Sequence, residues 1–516
     1  MVAKKNYKKR APLADESACG KREISGVSTK KERKKIMAKY GEGVVSSYAM
    51  PSEVKKSGAS AKTIAEEPRD VQVIREVDVI VVGGGPGGIA AAVSSARAGA
   101  KTILLERYGH LGGMSTGGLV NIIPNLGTIY GEHLIGGVCQ EVIDRLAARD
   151  AASFPDAKDW GKGEPAVVDK YVKANMTHFY IRKNPAGESV VLYTAVIDPE
   201  VAKDEMNTMV TESGCELLLH TWVTEPIMDG NTVRGVMIES KSGRQALLAK
   251  VVIDCSGDGD LLPKTGTETI DYMIPGSRIA QFGWVYWICN VDLDRYDAFL
   301  ANEPNAYRET VEKLTKEGGS AYFSRGLLDN QEGVVWVHRL LGSLHQTDIE
   351  EMTAIDTATR KTSVRNWELL KKHMPGFEKS FIMLSSPQLG TSGGRRIVGE
   401  YYMTAPDMDR DEPFDDTIAI FPDNDRGDAS LAHPRTYIPY RSLVPQGVEG
   451  LLVACRAFSS DHEVQEFFNL IPHCLCFGQA AGAAAAIAVA DGVAVRDVDF
   501  SKLRAELLKH GAILPK

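Results

Sequence analysis

The sequence predicts an α/β fold in which a strand–helix–strand framework is interrupted by a second, α+β domain. Three observations carry that expectation. The apolar run VDVIVV (77–82) closes directly in GGGPGG, a strand meeting a glycine turn. A second strand-and-helix block occupies about 198–261. Between about 271 and 430 the composition changes to aromatic, β-branched and helical stretches, after which strand, turn and Ala-rich helix return.

The elements follow in order. Residues 1–75 hold KKNYKKR and KKERKKIMAKYG and read as a basic arm, flexible or docked on a partner such as a neighbouring subunit. Residues 76–130 begin the framework: strand DVIVV, Ala-rich helix GIAAAVSSARAGA ending at Gly99, then strand KTILLER. An insertion or cap spans 131–195, and the framework resumes over 196–270. That part has a helix at 198–214, a hairpin around Asp229-Gly230, and the strand ALLAKVVIDCSGDGD. Residues 271–430 read as a substrate domain and 431–516 as the last framework segment. Trp284, Tyr286 and Trp287 alternate along one strand of that domain, as core or as the wall of an apolar pocket.

Bulk properties narrow the function classes. The 516 residues are 43% hydrophobic and 25% charged, enough for a large core, and the net charge of −8 argues against nucleic acid as partner. Eight cysteines stand at 19, 139, 215, 255, 289, 455, 474 and 476, without the CxxC pairs of zinc or iron–sulfur sites, so no metal is expected. They read as buried thiols in a reducing compartment, with Cys474 and Cys476 as the alternative redox pair. The longest weakly polar run, AAGAAAAIAVA (480–490), is too short to span a bilayer, and no apolar segment follows the basic N-terminus. The expected location is the cytoplasm.

Gly83-x-Gly85-x-x-Gly88, with Pro86 and Gly87 between, is the dinucleotide fingerprint in its required context. Its glycines allow the tight turn, the backbone approach to a pyrophosphate, and close packing of helix on strand. The phosphates then face the helix N-terminus. Glu106 ends the next strand and accepts ribose hydroxyls, which favours FAD or NAD over NADP. FAD is favoured over NAD because Arg107 leads into the loop YGHLGGMSTGG, where Gly112, Gly113 and Met114 can lie along a longer cofactor. Val223, the turn Ser256-Gly257-Asp258, Arg456 after the strand LLVAC, and Gln479 and Ala480 in the helix GQAAG complete the cofactor set.

The string GGGPGGIAAA, ER-x-GHLGGMST, VVIDCSGDGD, GRRIVGEY, IPYRSLVPQGVEGLLVACR and GQAAGAAAAIA resembles FAD-dependent oxidoreductases related to fumarate reductase and succinate dehydrogenase flavoproteins. The resemblance runs from about 76 to 495. It implies a Rossmann-like FAD domain of the glutathione-reductase type with an inserted substrate domain, and hydride exchange between flavin N5 and a substrate carbon at a C–C or C–OH bond. One departure stands out: SSDHEVQEFFNLIPHC carries Asn469 where the family pattern implies an arginine. That weakens a dicarboxylate substrate and favours a neutral, aromatic or alicyclic one.

Candidates for the chemical step are Arg395 and Arg396 as substrate- or flavin-facing cations, His462 and His473 as proton donors, and Tyr440, with Tyr437 and Arg441, as acid/base or oxyanion groups. The alternative is a surface salt-bridge pair for the arginines, a structural role for each histidine, and packing for the tyrosines. His110 is a weaker candidate, for a covalent flavin link. The reading is an FAD enzyme with a small-molecule substrate, an unidentified electron donor or acceptor, no membrane span, and homo-oligomers for which the arm is a candidate contact. The alternatives are a non-catalytic flavin-fold binding protein and a flavin monooxygenase.

Overall fold

The computed structural model describes residues 62–173, 180–184, 186–271, 274, 277–325, 328, 331–341 and 345–516. The chain divides into units Met1–Glu42 and Gly43–Lys516, and every described residue lies in the second. The proposed docking role of the basic arm falls, up to residue 61, outside the described residues.

β1 (Val73–Val82) runs into α1 (Pro86–Arg97), which returns through β2 (Thr102–Leu105). α2 (Gly137–Ala147) and α3 (Pro199–Glu212) follow. Asp198 caps α3 by accepting the N–H groups of Glu200 (2.8 Å) and Val201 (3.1 Å). Next come β3 (Glu216–Leu218), the hairpin β4 (Trp222–Asp229) and β5 (Thr232–Ser240) turning at Gly230, and β6 (Gly243–Asp254). The sheet order is β3-β2-β1-β6-β5-β4. β3, β2, β1 and β6 are mutually parallel, and β5 pairs antiparallel with the first half of β6. Val79, Ile80 and Val81 of β1 are fully buried, as a strand covered on both faces requires.

The inserted body is built on β7 (Phe282–Cys289), followed by α4 (Leu293–Asn302), α5 (Pro304–Lys316), β8 (Val335–Leu341), α6 (Ile349–His373), β9 (Phe381–Ser385) and β10 (Gly390–Thr391). β8 and β9 flank β7, all antiparallel. Trp284 and Tyr286 face one side of β7 and pack in the core under α6, while Trp287 packs in a different cluster, as period-2 alternation dictates. Asn366 on α6 donates to the Tyr286 hydroxyl (2.8 Å).

The chain returns through β11 (Thr417–Pro422), β12 (Arg435–Pro439), β13 (Leu451–Val453), α7 (His462–Phe467), α8 (Ile471–Asp491) and α9 (Phe500–Lys509). β13 pairs parallel with the last three residues of β6. Ile418, Ala419 and Phe421 of β11 share one core with α8, although their segment precedes residue 431, and Val138, Val142 and Leu146 of α2 join that core from within 131–195.

α8 is a continuous apolar helix of 21 residues, long enough to cross a membrane by length and composition, yet 78% of its apolar window is buried in the fold. The run 480–490 is therefore only its second half. α8 lies against α1 in the most extensive contact between two elements among the described residues. A Cβ on Gly478 would overlap the Gly87 carbonyl, and one on Gly482 the Ala91 carbonyl. Gly478→Ala should therefore lower unfolding free energy by about 2 kcal/mol or more, measured by urea denaturation. Gly492→Asn, at the open left-handed end of α8, should change it by less than about 1 kcal/mol.

Candidate cofactor cleft and active site

A cleft opens at the C-terminal ends of the parallel strands β1, β2, β6 and β13, where an open α/β sheet binds its ligands. Gly83, Gly85, Pro86 and Gly87 form part of its floor. Gly83 adopts φ +96°, and a Cβ there would stand 2.7 Å from the Cys255 carbonyl oxygen. Gly85 caps α1 and Pro86 is its first residue, so the free N–H groups of the first turn open toward the cleft. Gly88 is a packing glycine, pressed on the Gly83 carbonyl outside the lining.

At one end both oxygens of Glu106 accept backbone N–H groups, Gly84 at 2.6 Å and Tyr108 at 2.7 Å, so the carboxylate is fixed at the cleft wall. The Arg107 guanidinium stacks over Trp222 (5.0 Å) and Tyr108 (5.1 Å) beside Val223 and Thr221. Gly113 and Met114 line the cleft, while Gly112 lies behind them, its N–H donating to the Gly84 carbonyl (2.9 Å). Asp260 is 44% exposed and 3.9 Å from Arg107. Confinement between the cleft walls, then the Asp258 and Asp254 carboxylates, raises its pKa to about 6.

The turn after β6 is organised by Asp254, fully buried, which accepts from the Ser256 N–H (2.9 Å), the Ser256 hydroxyl (2.6 Å) and the Leu261 N–H (3.2 Å). Ser256, Gly257 and Asp258 thereby reach the cleft. Arg456, also lining it, donates from Nη2 to Asp258 (2.6 Å) and to the Thr391 hydroxyl (2.6 Å), and from Nε to the Gly393 carbonyl (2.9 Å).

Arg395 and Arg396 sit differently from the sequence expectation. Arg395 donates to the carbonyls of Asp258 (2.9 Å) and Gly259 (3.0 Å), bracing the turn from behind. Arg396 is 2% exposed and donates to Gln465 (3.0 Å), whose amide donates to the Arg456 carbonyl (2.7 Å). Neither lines the cleft. A Gly-Gly turn at 393–394 points both guanidinium groups inward, which residue spacing alone does not reveal.

The far end of the cleft is walled by Met352, Gln388, Leu389 and Thr391 of the inserted body and by Asn469, Ile471 and Cys474 of the framework. His473 adjoins it but does not line it: the ring is fully buried against Phe421 (4.2 Å) and Phe468 (5.4 Å) and accepts the Leu470 N–H at Nδ1. Burial, then the Arg278 charge, lowers its pKa to about 3, so it is a neutral packing group at ordinary pH. Tyr440 is likewise a core residue, its hydroxyl donating to the Val495 carbonyl (2.7 Å) and its pKa pushed well up by burial. His462 opens α7, and His110, stacked on Tyr108 at 5.7 Å, stands outside the lining.

Gln479 ties α8 to α2 by accepting the Val138 N–H (3.1 Å), and Ala480 is buried in α8, so both are architectural. Cys474 and Cys476 are free thiols whose pKa values burial pushes up to about 12, the opposite of a reactive pair. The sequence reading missed Trp222, Gln388, Thr391 and the lining role of Asn469. Trp222 had a signal, since a bulky aromatic beside the proposed cofactor residue Val223 is costly to leave exposed. Thr391 had only its adjacency to the Gly393-Gly394 turn.

The arrangement fits FAD. The glycine turn admits backbone contact with a pyrophosphate, and Glu106 stands at the end of β2 for ribose hydroxyls. The cleft runs on past both, and at its far end the Gln388 amide oxygen is buried without a partner, as an acceptor for a bound N–H group would be. Glu106→Ala should weaken FAD binding by about tenfold or more, read by fluorescence titration of the apoprotein. FAD affinity should also fall as pH rises through about 6, by up to about tenfold per pH unit, because a second anion entering beside Asp260 favours its protonated form. Asp260→Asn should flatten that titration between pH 5 and 7.

The family model described as FAD dependent oxidoreductase matches residues 78–507. A digeranylgeranylglycerophospholipid reductase of Methanoculleus marisnigri is 24% identical over 235 residues, 45% of this chain and 51% of that protein. A thiamine thiazole synthase of Methanococcus vannielii is 54% identical over 190 residues, 35% of this chain and 56% of that protein. The chain thus matches about half the length of these relatives. A solved geranylgeranyl bacteriochlorophyll reductase-like protein of Thermoplasma acidophilum overlays with TM-score 0.41 at 14% identity, covering 84% of this chain and 82% of that one. With the family model spanning framework and inserted body alike, the chain belongs to the FAD dependent oxidoreductase family, and FAD is its cofactor.

Proposed function

We propose that the protein exchanges a hydride between flavin N5 and a carbon of a small organic substrate, at a C–C or C–OH bond, where the framework meets the inserted body. The observation that carries this reading is the double-walled far end of the cleft. Gln388, Leu389 and Met352 come from the inserted body, Asn469 and Ile471 from the framework, and the glycine turn lies at the other end. FAD supplies the two-electron chemistry; the chain's own residues bind, orient and exclude water. Arg456, anchored by Asp258, Thr391 and Gly393, fixes one wall in place, and Arg395 and Arg396 act through that wall as positioning residues. The amides of Gln388 and Asn469 offer polar contacts to a substrate, while Leu389, Met352 and Ile471 keep the site apolar. The kinship to fumarate reductase and succinate dehydrogenase flavoproteins, the substrate domain at 271–430 and assembly into homo-oligomers belong to the same proposal.

Purified protein should be yellow, and its flavin absorbance should bleach anaerobically on adding one member of a panel of small alcohols and saturated acids, or recolour from the reduced state with their unsaturated counterparts. A protein that stays colourless after FAD reconstitution would defeat the reading. Oxygen consumption with NAD(P)H and no anaerobic exchange would replace it with the monooxygenase alternative.

A further inference from the structure

Thr391 is the last residue of β10, the short strand on which the chain leaves the inserted body. It is pinned from both sides. Before it, Gly390 passes so close to Gly283 of β7 that a Cβ there would stand 2.7 Å from the Gly283 carbonyl oxygen. After it, the Ser392 carbonyl accepts from Asn469 Nδ2 (2.6 Å). Thr391 is only 8% exposed, and it lines the far end of the cleft.

Its hydroxyl oxygen accepts from Arg456 Nη2 at 2.6 Å, and the same nitrogen donates to Asp258 at 2.6 Å. The Gly393 carbonyl holds Arg456 Nε (2.9 Å), so the guanidinium cannot swing away. A hydroxyl has one hydrogen to give. Among the described residues no acceptor takes the Thr391 hydrogen. A lone pair committed to a guanidinium polarises the O–H bond and strengthens the hydrogen bond it can donate. The cleft wall thus carries a fixed, polarised and unspent donor.

The surrounding charge decides which acceptor it suits. Glu106, Asp258 and Asp260 line the cleft against Arg107 and Arg456, three carboxylates against two guanidinium groups. Arg456 is already paired with Asp258, and FAD brings a pyrophosphate of its own. With no surplus positive charge, an anion at Thr391 would stay uncompensated, whereas a neutral carbonyl oxygen is satisfied by a hydrogen-bond donor. Met352, Leu389 and Ile471 beside it suit a carbon skeleton.

We propose that Thr391 is a catalytic residue whose hydroxyl donates to a neutral carbonyl oxygen conjugated with the carbon that gives or takes the hydride. The proposal rests on the hydride-transfer reading above and names its substrate class: an α,β-unsaturated ketone or its saturated counterpart. In the reducing direction the β-carbon takes the hydride and the C=C electron pair moves through the carbonyl carbon onto the oxygen. Water then supplies the proton that adds at the α-carbon. The oxidising direction runs the same exchange backwards. Negative charge gathers on the oxygen either way, and the Thr391 hydrogen meets it there.

The test titrates the FAD-loaded protein with cyclohex-2-enone and acetophenone, following the visible flavin spectrum. Cyclohexene and ethylbenzene serve as counterparts without the oxygen, and benzoate as the anion. At least one ketone should perturb the spectrum saturably, with its hydrocarbon at least about tenfold weaker and benzoate no tighter than acetophenone. Thr391→Val should weaken the ketone about tenfold and leave the hydrocarbon unchanged, and Thr391→Ser should recover most of the loss. By infrared difference spectroscopy the bound carbonyl stretch should lie lower in wild type and Thr391→Ser than in Thr391→Val, a shift that a merely structural threonine would not produce. Equal binding of ketones and hydrocarbons, tighter binding of benzoate, an unchanged stretch in Thr391→Val, or no ketone response in the wild type overturns the proposal. The wild-type comparisons decide the matter even if Thr391→Val fails to fold. Failure of the hydride-transfer reading shows separately, as flavin that binds the ketones but is neither bleached by cyclohexanone nor recoloured from the reduced state by cyclohex-2-enone.

Discussion

The floor of the cleft is backbone packed on backbone. Gly83 passes the Cys255 carbonyl, Gly87 passes the Ala454 carbonyl, and Gly478 of α8 passes the Gly87 carbonyl. The ends of β1, β6 and β13 and the helices α1 and α8 therefore converge with no side chain between them at these points, and the first turn of α1 opens directly into the space left above. Interiors are packed to crystalline density, so a single Cβ at any of these positions forces whole elements to shift. The Ala-rich faces of α1 and α8 extend the same close approach away from the site. Together they hold the strand ends, and hence Glu106, Asp258 and Arg456, at fixed separations.

The charges around the cleft follow from that geometry. Asp254 is buried, but each of its oxygens accepts hydrogen bonds from the turn it organises, which is how a buried carboxylate is tolerated. Arg456 and Asp258 pair inside the wall, with Thr391 and Gly393 satisfying further guanidinium donors. Arg395 and Arg396 brace the turn and α7 from behind. The cluster couples the last framework segment to the β10 end of the inserted body, so the shape of the cleft depends on how the two are joined.

Hydrogen bonds tie down the two points where the chain crosses into and out of the inserted body. Asn469 holds the entering and leaving strands, Glu466 holds the entering turn, and Gln346 reaches the Ile279 carbonyl from the far side. Those hydrogen bonds act beside an apolar contact, in which Leu119, Ile122, Tyr171 and Val196 pack with Val285, Trp287 and Trp336 of the inserted body.

The sequence by itself determined the strand–glycine–helix unit, the acid at the end of β2, the hairpin at Gly230 and the FAD assignment, because these depend on local backbone chemistry. A φ of +96° needs glycine, and a helix that begins beside phosphates needs a free first turn. Alternation along β7 also separated Trp284 and Tyr286 from Trp287. Glu106, Arg107, Ser256, Asp258 and Arg456, named from the sequence, line the cleft, and only the tertiary structure decided where the candidate catalytic side chains point. The direction of a long side chain depends on contacts hundreds of residues away: Arg395 and Arg396 turn inward to carbonyls and an amide, while Tyr440 and His473 sink into cores made by β11, α8 and the residues after them. The charge near Asn469 was illegible for the same reason, since Arg278 reaches it from the opposite side of a domain crossing.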